Sequence, residues 1–290
     1  MAIDFVQYFK NLNILYFAGT ENQKLQIPSW VPDWSVNVPK NSFARAWRIR
    51  ESLRGTGPSR DHRPLYEAAA NNSATFQIDE GAITLVLRCT LIDQAKHIGC
   101  TFEGIDEALR RQVRESSEWH VWSRQWCENL RSCFELTRVH SRDRYSTNDE
   151  IQGTCSVCLV AGKFHNSHER ADRVILADCW AKLSEFEDRM FRQDPANWTV
   201  ETVAFVHMIN AKTSNFAEFQ RALASALTGH TFFISSSGYI GLGPSSIKSG
   251  DEICIIHGLP VPFVVRRVSG TQVLNNRGML RSGCYGWRDF

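Results

Sequence analysis

The chain lacks most of the features that assign a class of function at sight. Its 290 residues hold 33 Lys plus Arg against 31 Asp plus Glu, a formal net charge of +2. The counterion-release term that drives nucleic-acid binding therefore has no obvious source, and no nucleic-acid partner is expected. No apolar run approaches the roughly 18 residues needed to cross a bilayer, so no membrane span is expected. The first twenty residues carry Asp4 and Lys10 inside their apolar pattern and have no basic start, unlike a secretory leader. Nine cysteines, an odd number without a framework spacing, fit reduced thiols and a cytoplasmic location better than secreted disulfides. There is no Walker sequence, no paired-carboxylate spacing and no local catalytic triad.

What is present is a globular composition, 43% hydrophobic and 22% charged, organised as a single domain in five stretches. Residues 1–36 open with Phe5, Tyr8, Phe9 and Leu12 at helical spacing before Gly19, then run into "IPSWVPDWS". There Pro28 and Pro32 stiffen the backbone that carries Trp30 and Trp34, and burial of both rings is the simplest use of that rigidity. Residues 37–73 are breaker-rich and read as a surface loop. Residues 74–100 read as a β-hairpin, with Phe76 and Ile78 on one strand, a turn at Asp79–Gly81, and Ile83, Leu85 and Leu87 on one face of the next.

From 101 to 228 the period turns helical. Trp119, Trp122, Trp126, Leu130 and Phe134 form one stripe; Val174, Leu183, Phe186 and Met190 contribute to another. Thr147 and Glu150 form a capping box for a helix expected to run past Val160. A last helix carries Phe216, Phe219, Leu223 and Leu227, with Ser214 as candidate cap and Gly229 as stop. Residues 229–290 return to strands. The expected fold is α+β, an antiparallel β-sheet or small barrel built from the early hairpin and the C-terminal strands, with the helices as an insertion between them.

Each candidate site has a structural reading beside the chemical one. In "SGYIGLGP", residues 237–244, Gly238, Gly241 and Gly243 follow the order G-x-x-G-x-G, and Pro244 and a further turn come next instead of a helix. A phosphate loop needs helix N-terminal amides, so these glycines belong to a tight hairpin. Cys155, Cys158, His165 and His168 look superficially like zinc ligands, but the two cysteines share a helical face and no metal is expected. Cys254 and His257, three apart on a strand, point to opposite faces. Asp251 reads as a turn residue with no visible partner, and Arg142 and Arg144 in the charged, solvated "SRDRYS" stretch could meet an anionic partner. No catalytic, cofactor-binding or metal residue is assigned, and enzymatic activity is not expected. The rival reading is a hydrolase or nucleotide-processing enzyme with a cleft between helical block and sheet, using Cys254, His257 or Asp251.

Three ordered segments resemble a family. Pro28–Ser35, the "LIDQ" of residues 91–94, and a C-terminal pattern comprising Phe232–Pro244, Gly250 with Asp251, Gly258 and Pro262–Arg266 are similar to the fungal heterokaryon incompatibility (HET domain) proteins. Nothing in residues 1–26 resembles the HET core, and of a further motif only Gly283, Cys284 and Tyr285 remain. The resemblance implies the region downstream of that core, shortened at both ends as in a truncated paralogue. It also implies a part in vegetative incompatibility, where non-self recognition triggers programmed cell death, exerted through protein partners.

Overall fold

In a computed structural model, the described residues are 73–79, 84–102, 119–162, 172–191, 215–259, 261–268, 271–277 and 279–281, with a few isolated positions before residue 70. Thirteen regular elements lie among them. In chain order they are β1 (Phe76–Ile78), β2 (Leu85–Leu87), β3 (Cys89–Thr101), α1 (Trp119–His140), α2 (Asn148–Leu159), α3 (Arg173–Phe191), α4 (Asn215–Leu227), β4 (His230–Ser235), β5 (Ile240–Pro244), β6 (Glu252–Ile256), β7 (Phe263–Val268), β8 (Thr271–Arg277) and β9 (Met279–Arg281). The fold is α+β, as expected.

Two sheets form. β1 and β2 pair as a separate antiparallel hairpin, and the larger sheet has the order β8-β7-β6-β3-β4-β5-β9. The early segment does share a sheet with the C-terminal strands, but its contribution is β3 and not the hairpin itself. The 13-residue β3 divides its pairing: Cys89–Gln94 bond to β6, whereas Ala95–Thr101 bond to β4, with register shifts at Leu91/Asp93 and Ala95/His97. Such irregularities bend and twist a strand. They let one strand lie at the centre of the sheet while passing from one neighbour to the other.

The two outermost strands, β8 and β9, are separated in the chain by one residue. β8 bonds to β7 and β9 to β5, and Cα atoms of β8 come within 8 Å of β5. The sheet therefore curls until its ends approach.

β4, β5 and β6 are buried at every position, which fits their near-continuous apolar runs. A strand covered on one side only would alternate. Phe232, Ile234, Ile240, Leu242, Cys254, Ile256, Phe263 and Val265 face a main core shared with the helices, Leu12, Leu15 and Trp30. The opposite face packs Ala95, Phe233, Ile253 and Val264 with Tyr239 and Ile247 into a second, smaller core.

The helices follow their sequence signals with two corrections. Thr147 caps α2 by accepting from the Glu150 amide at 3.1 Å, and the Glu150 carboxylate accepts from the Ser146 amide at 3.0 Å. That helix stops at Leu159 instead of continuing past Val160. Ala161 and Gly162 take left-handed φ values of 52° and 71°, and their amides close back onto Cys158 and Val157. On α3, Val174 is 78% exposed, and the inward stripe is Leu176, Cys179, Trp180 and Leu183. At 100° per residue, Val174 lies on the far side of that stripe. Phe216, Phe219, Leu223 and Leu227 are buried, and Gly229 ends α4 at φ 72°. Trp30 is buried, while Trp34, Trp119, Trp122, Phe186, Met190, Ser214 and the loop at 37–67 lie outside the described side chains.

Candidate functional site

The glycine-rich stretch forms a hairpin between β4 and β5. Gly238 turns at φ 83°, and β5 pairs with β4 from Ile240 opposite Ile234 to Pro244 opposite His230. A turn follows Pro244, not a helix, so no phosphate cradle is formed. Gly243 instead leaves room for Ile247, whose Cδ1 would lie 2.6 Å from an added Cβ.

Asp251 differs from its expected role as a partnerless turn residue. Its carboxylate accepts two bonds from Arg266, at 2.8 Å from Nε and 2.7 Å from Nη2, and a third at 2.8 Å from the Lys248 amide. Arg266 also donates to the Ser246 carbonyl at 2.8 Å. The pair joins β7 to the β5–β6 connection, so the glycine, aspartate and arginine of the family-like pattern converge on one structural lock. A sequence separation of 15 residues hid this partnership, because only the β6–β7 pairing brings the two side chains together.

Cys254, His257 and Asp251 have three different partners. Cys254 is buried and its thiol donates to Cys89, His257 Nε2 lies 3.1 Å from Thr90 Oγ1, and Asp251 holds Arg266. They do not assemble into one centre. The sequence reading missed Cys89, which is exposed and whose thiol is brought down to about 7, chiefly by that hydrogen bond from Cys254. Only the strand register could have revealed it: Leu91 pairs with Cys254, which leaves Cys89 two residues away on the same face.

Cys155 and Cys158 are fully buried on α2, and burial raises the Cys155 thiol well above its ordinary value. His165 and His168 lie outside the described residues. Among the described residues no group of three or more His, Cys, Asp or Glu side chains converges to hold a metal. In the stretch at 141–146, Ser141 and Tyr145 are buried, which corrects its reading as uniformly solvated. Arg142 donates to the Arg138 carbonyl, and Arg144 stacks 4.0 Å above the Tyr239 ring.

A cleft of about 390 Å³ opens between α1, α2 and α3. Leu130, Ile151, Trp180 and Leu183 give it apolar walls, and Phe134 meets Trp180 edge to face with centroids 4.7 Å apart. Its charged lining is internally matched. Arg131 bonds Glu187 at 2.9 Å across α1 and α3, and Arg138 bonds Glu135 at 2.8 Å along α1. Cys127 also lines the cleft, but burial and the neighbouring Glu187 hold its thiol protonated far above the neutral range. It is not an activated nucleophile. No helix among the described residues is long and apolar enough to cross a membrane.

The architecture is thus a curled antiparallel sheet whose strands β4, β5 and β6 are buried throughout, clasped by a helical layer and fastened by an aspartate–arginine lock. Residues 157–284 match the Het-6 beta-barrel domain family. This stretch contains β4 to β9 but not β3, so the central strand of the sheet comes from outside it. A 44-residue segment is 36% identical to heterokaryon incompatibility protein 6, OR allele, of Neurospora crassa; it covers 15% of this chain and 6% of that protein. No solved structure matches. The resemblance to the heterokaryon incompatibility proteins is thereby shown for this part of the chain.

Proposed function

We propose that the chain acts in fungal vegetative incompatibility as a non-enzymatic, cytoplasmic region that works through protein contacts. The observation that carries this reading is how the residues of the family-like pattern are used. Gly238 and Gly258 make turns, Gly243 admits Ile247, and Asp251 and Arg266 hold each other. Each has a structural task, and none lines the cleft between the helices. A framework kept for its shape suits a recognition module, whose specificity lies in its surface.

Deletion of the gene from one of two otherwise isogenic fungal strains tests the proposal. The deletion is expected to change which partners form a stable heterokaryon, and regulated expression of the chain alone in a compatible host is expected to leave growth normal. Unchanged compatibility after deletion would sink the recognition role. Rapid death caused by the chain alone would show that it carries an effector activity of its own.

A further inference from the structure

We propose that Cys100 on β3 and Cys133 on α1 form an oxidation site, where hydrogen peroxide converts the pair into a disulfide that fastens the helical layer to the central strand of the sheet. Their sulfurs lie 3.4 Å apart, and as a thiol Cys100 also donates to the Asn129 carbonyl at 3.3 Å. Asn129 and Cys133 stand four apart on α1, neighbours on one face, so Cys100 is seated against the helix at two points. The packing beside it is close. A Cβ added to Gly99 would lie 3.2 Å from Leu136 Cδ2, and the rings of His97 and His140 stack with centroids 3.6 Å apart. A disulfide bond of about 2.05 Å needs the two sulfurs to approach by about 1.4 Å more, a step within reach of side-chain rotation.

The two thiols differ in the way the chemistry needs. Cys100 is half-buried, whereas Cys133 is 1% exposed. The hydrogen bond from Cys133 holds the Cys100 thiol below its ordinary value, and burial pushes Cys133 well above it. Cys100 is then the thiolate that meets the oxidant, with Cys133 as the protonated partner behind it. The Cys100 sulfur attacks one oxygen of hydrogen peroxide; an S–O bond forms, the O–O bond breaks and hydroxide leaves. The Cys133 sulfur next attacks the sulfenic sulfur of Cys100, so that the S–S bond forms, the S–O bond breaks and the hydroxyl departs as water with the Cys133 proton. Two electrons pass from the sulfurs to one peroxide.

The test treats the whole folded chain with hydrogen peroxide, blocks the remaining thiols and digests with trypsin. Each sulfur falls in a peptide that holds one cysteine, residues 97–110 and 132–138. These two should appear joined, two hydrogens lighter than their sum, and dithiothreitol should separate them. The bridge ties positions 33 residues apart, so the urea midpoint should rise on oxidation and fall back on reduction. In Cys133→Ser the joined peptide should be absent and dimedone should label Cys100 as a sulfenic acid. Cys100→Ser changes a half-buried position and should remove both the link and the rise, which decides the matter if Cys133→Ser does not fold. Unlinked peptides after peroxide, a link that forms only in the urea-unfolded chain, or an unchanged midpoint in the linked chain would each overturn the assignment.

Discussion

Asp251 and Arg266 face each other as a two-pronged ion pair, with N–O distances of 2.8 and 2.7 Å, and the aspartate is 3% exposed. The geometry matches a planar guanidinium to a planar carboxylate, an arrangement that lysine cannot reproduce. Removal of one member leaves the other charge buried and unmatched, which costs about 3–5 kcal/mol in a well-buried pair. Arg266→Ala should therefore lower the urea midpoint far more than Arg138→Ala. Arg138 also bonds an acidic neighbour, Glu135, at 2.8 Å, but the two side chains are 50% and 58% exposed, and such pairs contribute little. Equal losses for the two variants would mean that the lock does not fasten the sheet.

Gly250 and Gly258 both adopt left-handed backbone, with φ of 91° and 86°, but their surroundings differ. An added Cβ at Gly250 would meet nothing within 4 Å, whereas at Gly258 it would lie 2.7 Å from the Ala74 backbone nitrogen and 2.8 Å from its Cα. Gly250→Ala should then cost only the conformational penalty, about 1–2 kcal/mol. Gly258→Ala should cost distinctly more, because the segment that leads into β1 has to move. Chemical denaturation of the two variants side by side gives the comparison, and Ala74→Gly should not rescue Gly258→Ala, since the clash is with backbone. A Gly258→Ala protein as stable as Gly250→Ala would contradict the close approach.

These two cases also show what the sequence could and could not express. A turn at Gly250–Asp251 is a local property, set by glycine and aspartate chemistry, and it was legible. The same holds for the Thr147 cap, the stripe on α4 and the strands with unbroken apolar runs. The partner of Asp251, the contact of Gly258 with Ala74 and the pairing of Cys89 with Cys254 depend on which strands become neighbours, a long-range outcome of topology. Val174 departs from its sequence expectation for a related reason: an isolated apolar residue near a helix start fits either phase until its packing neighbours are known. The division of β3 between β6 and β4 left no local mark beyond its length. The cleft was invisible because its lining is drawn from three helices at once.

Cys89 provides a pH-dependent prediction. Its thiol, brought down to about 7 by the bond from the Cys254 thiol, is exposed, while the buried thiols of Cys127, Cys133 and Cys155 are pushed upward by burial. The thiolate is the reactive form, so Cys89, exposed where the other described cysteines are buried or half-buried, should be alkylated by iodoacetamide near neutral pH before any of them. The rate at this residue, followed by peptide mass spectrometry, should rise with a midpoint near pH 7. In Cys254→Ala the donor is gone, and the midpoint should climb toward the ordinary thiol range, about 8.5. The linkage has a definite sign. Between about 7 and the ordinary range, the folded chain holds Cys89 as thiolate while the unfolded chain keeps it protonated. The unfolded state thus binds more protons, and this residue's contribution to stability increases as pH rises through that window and is lost as pH falls through about 7. An alkylation midpoint that is unaffected by Cys254→Ala would show that the buried thiol is not what holds the Cys89 thiolate.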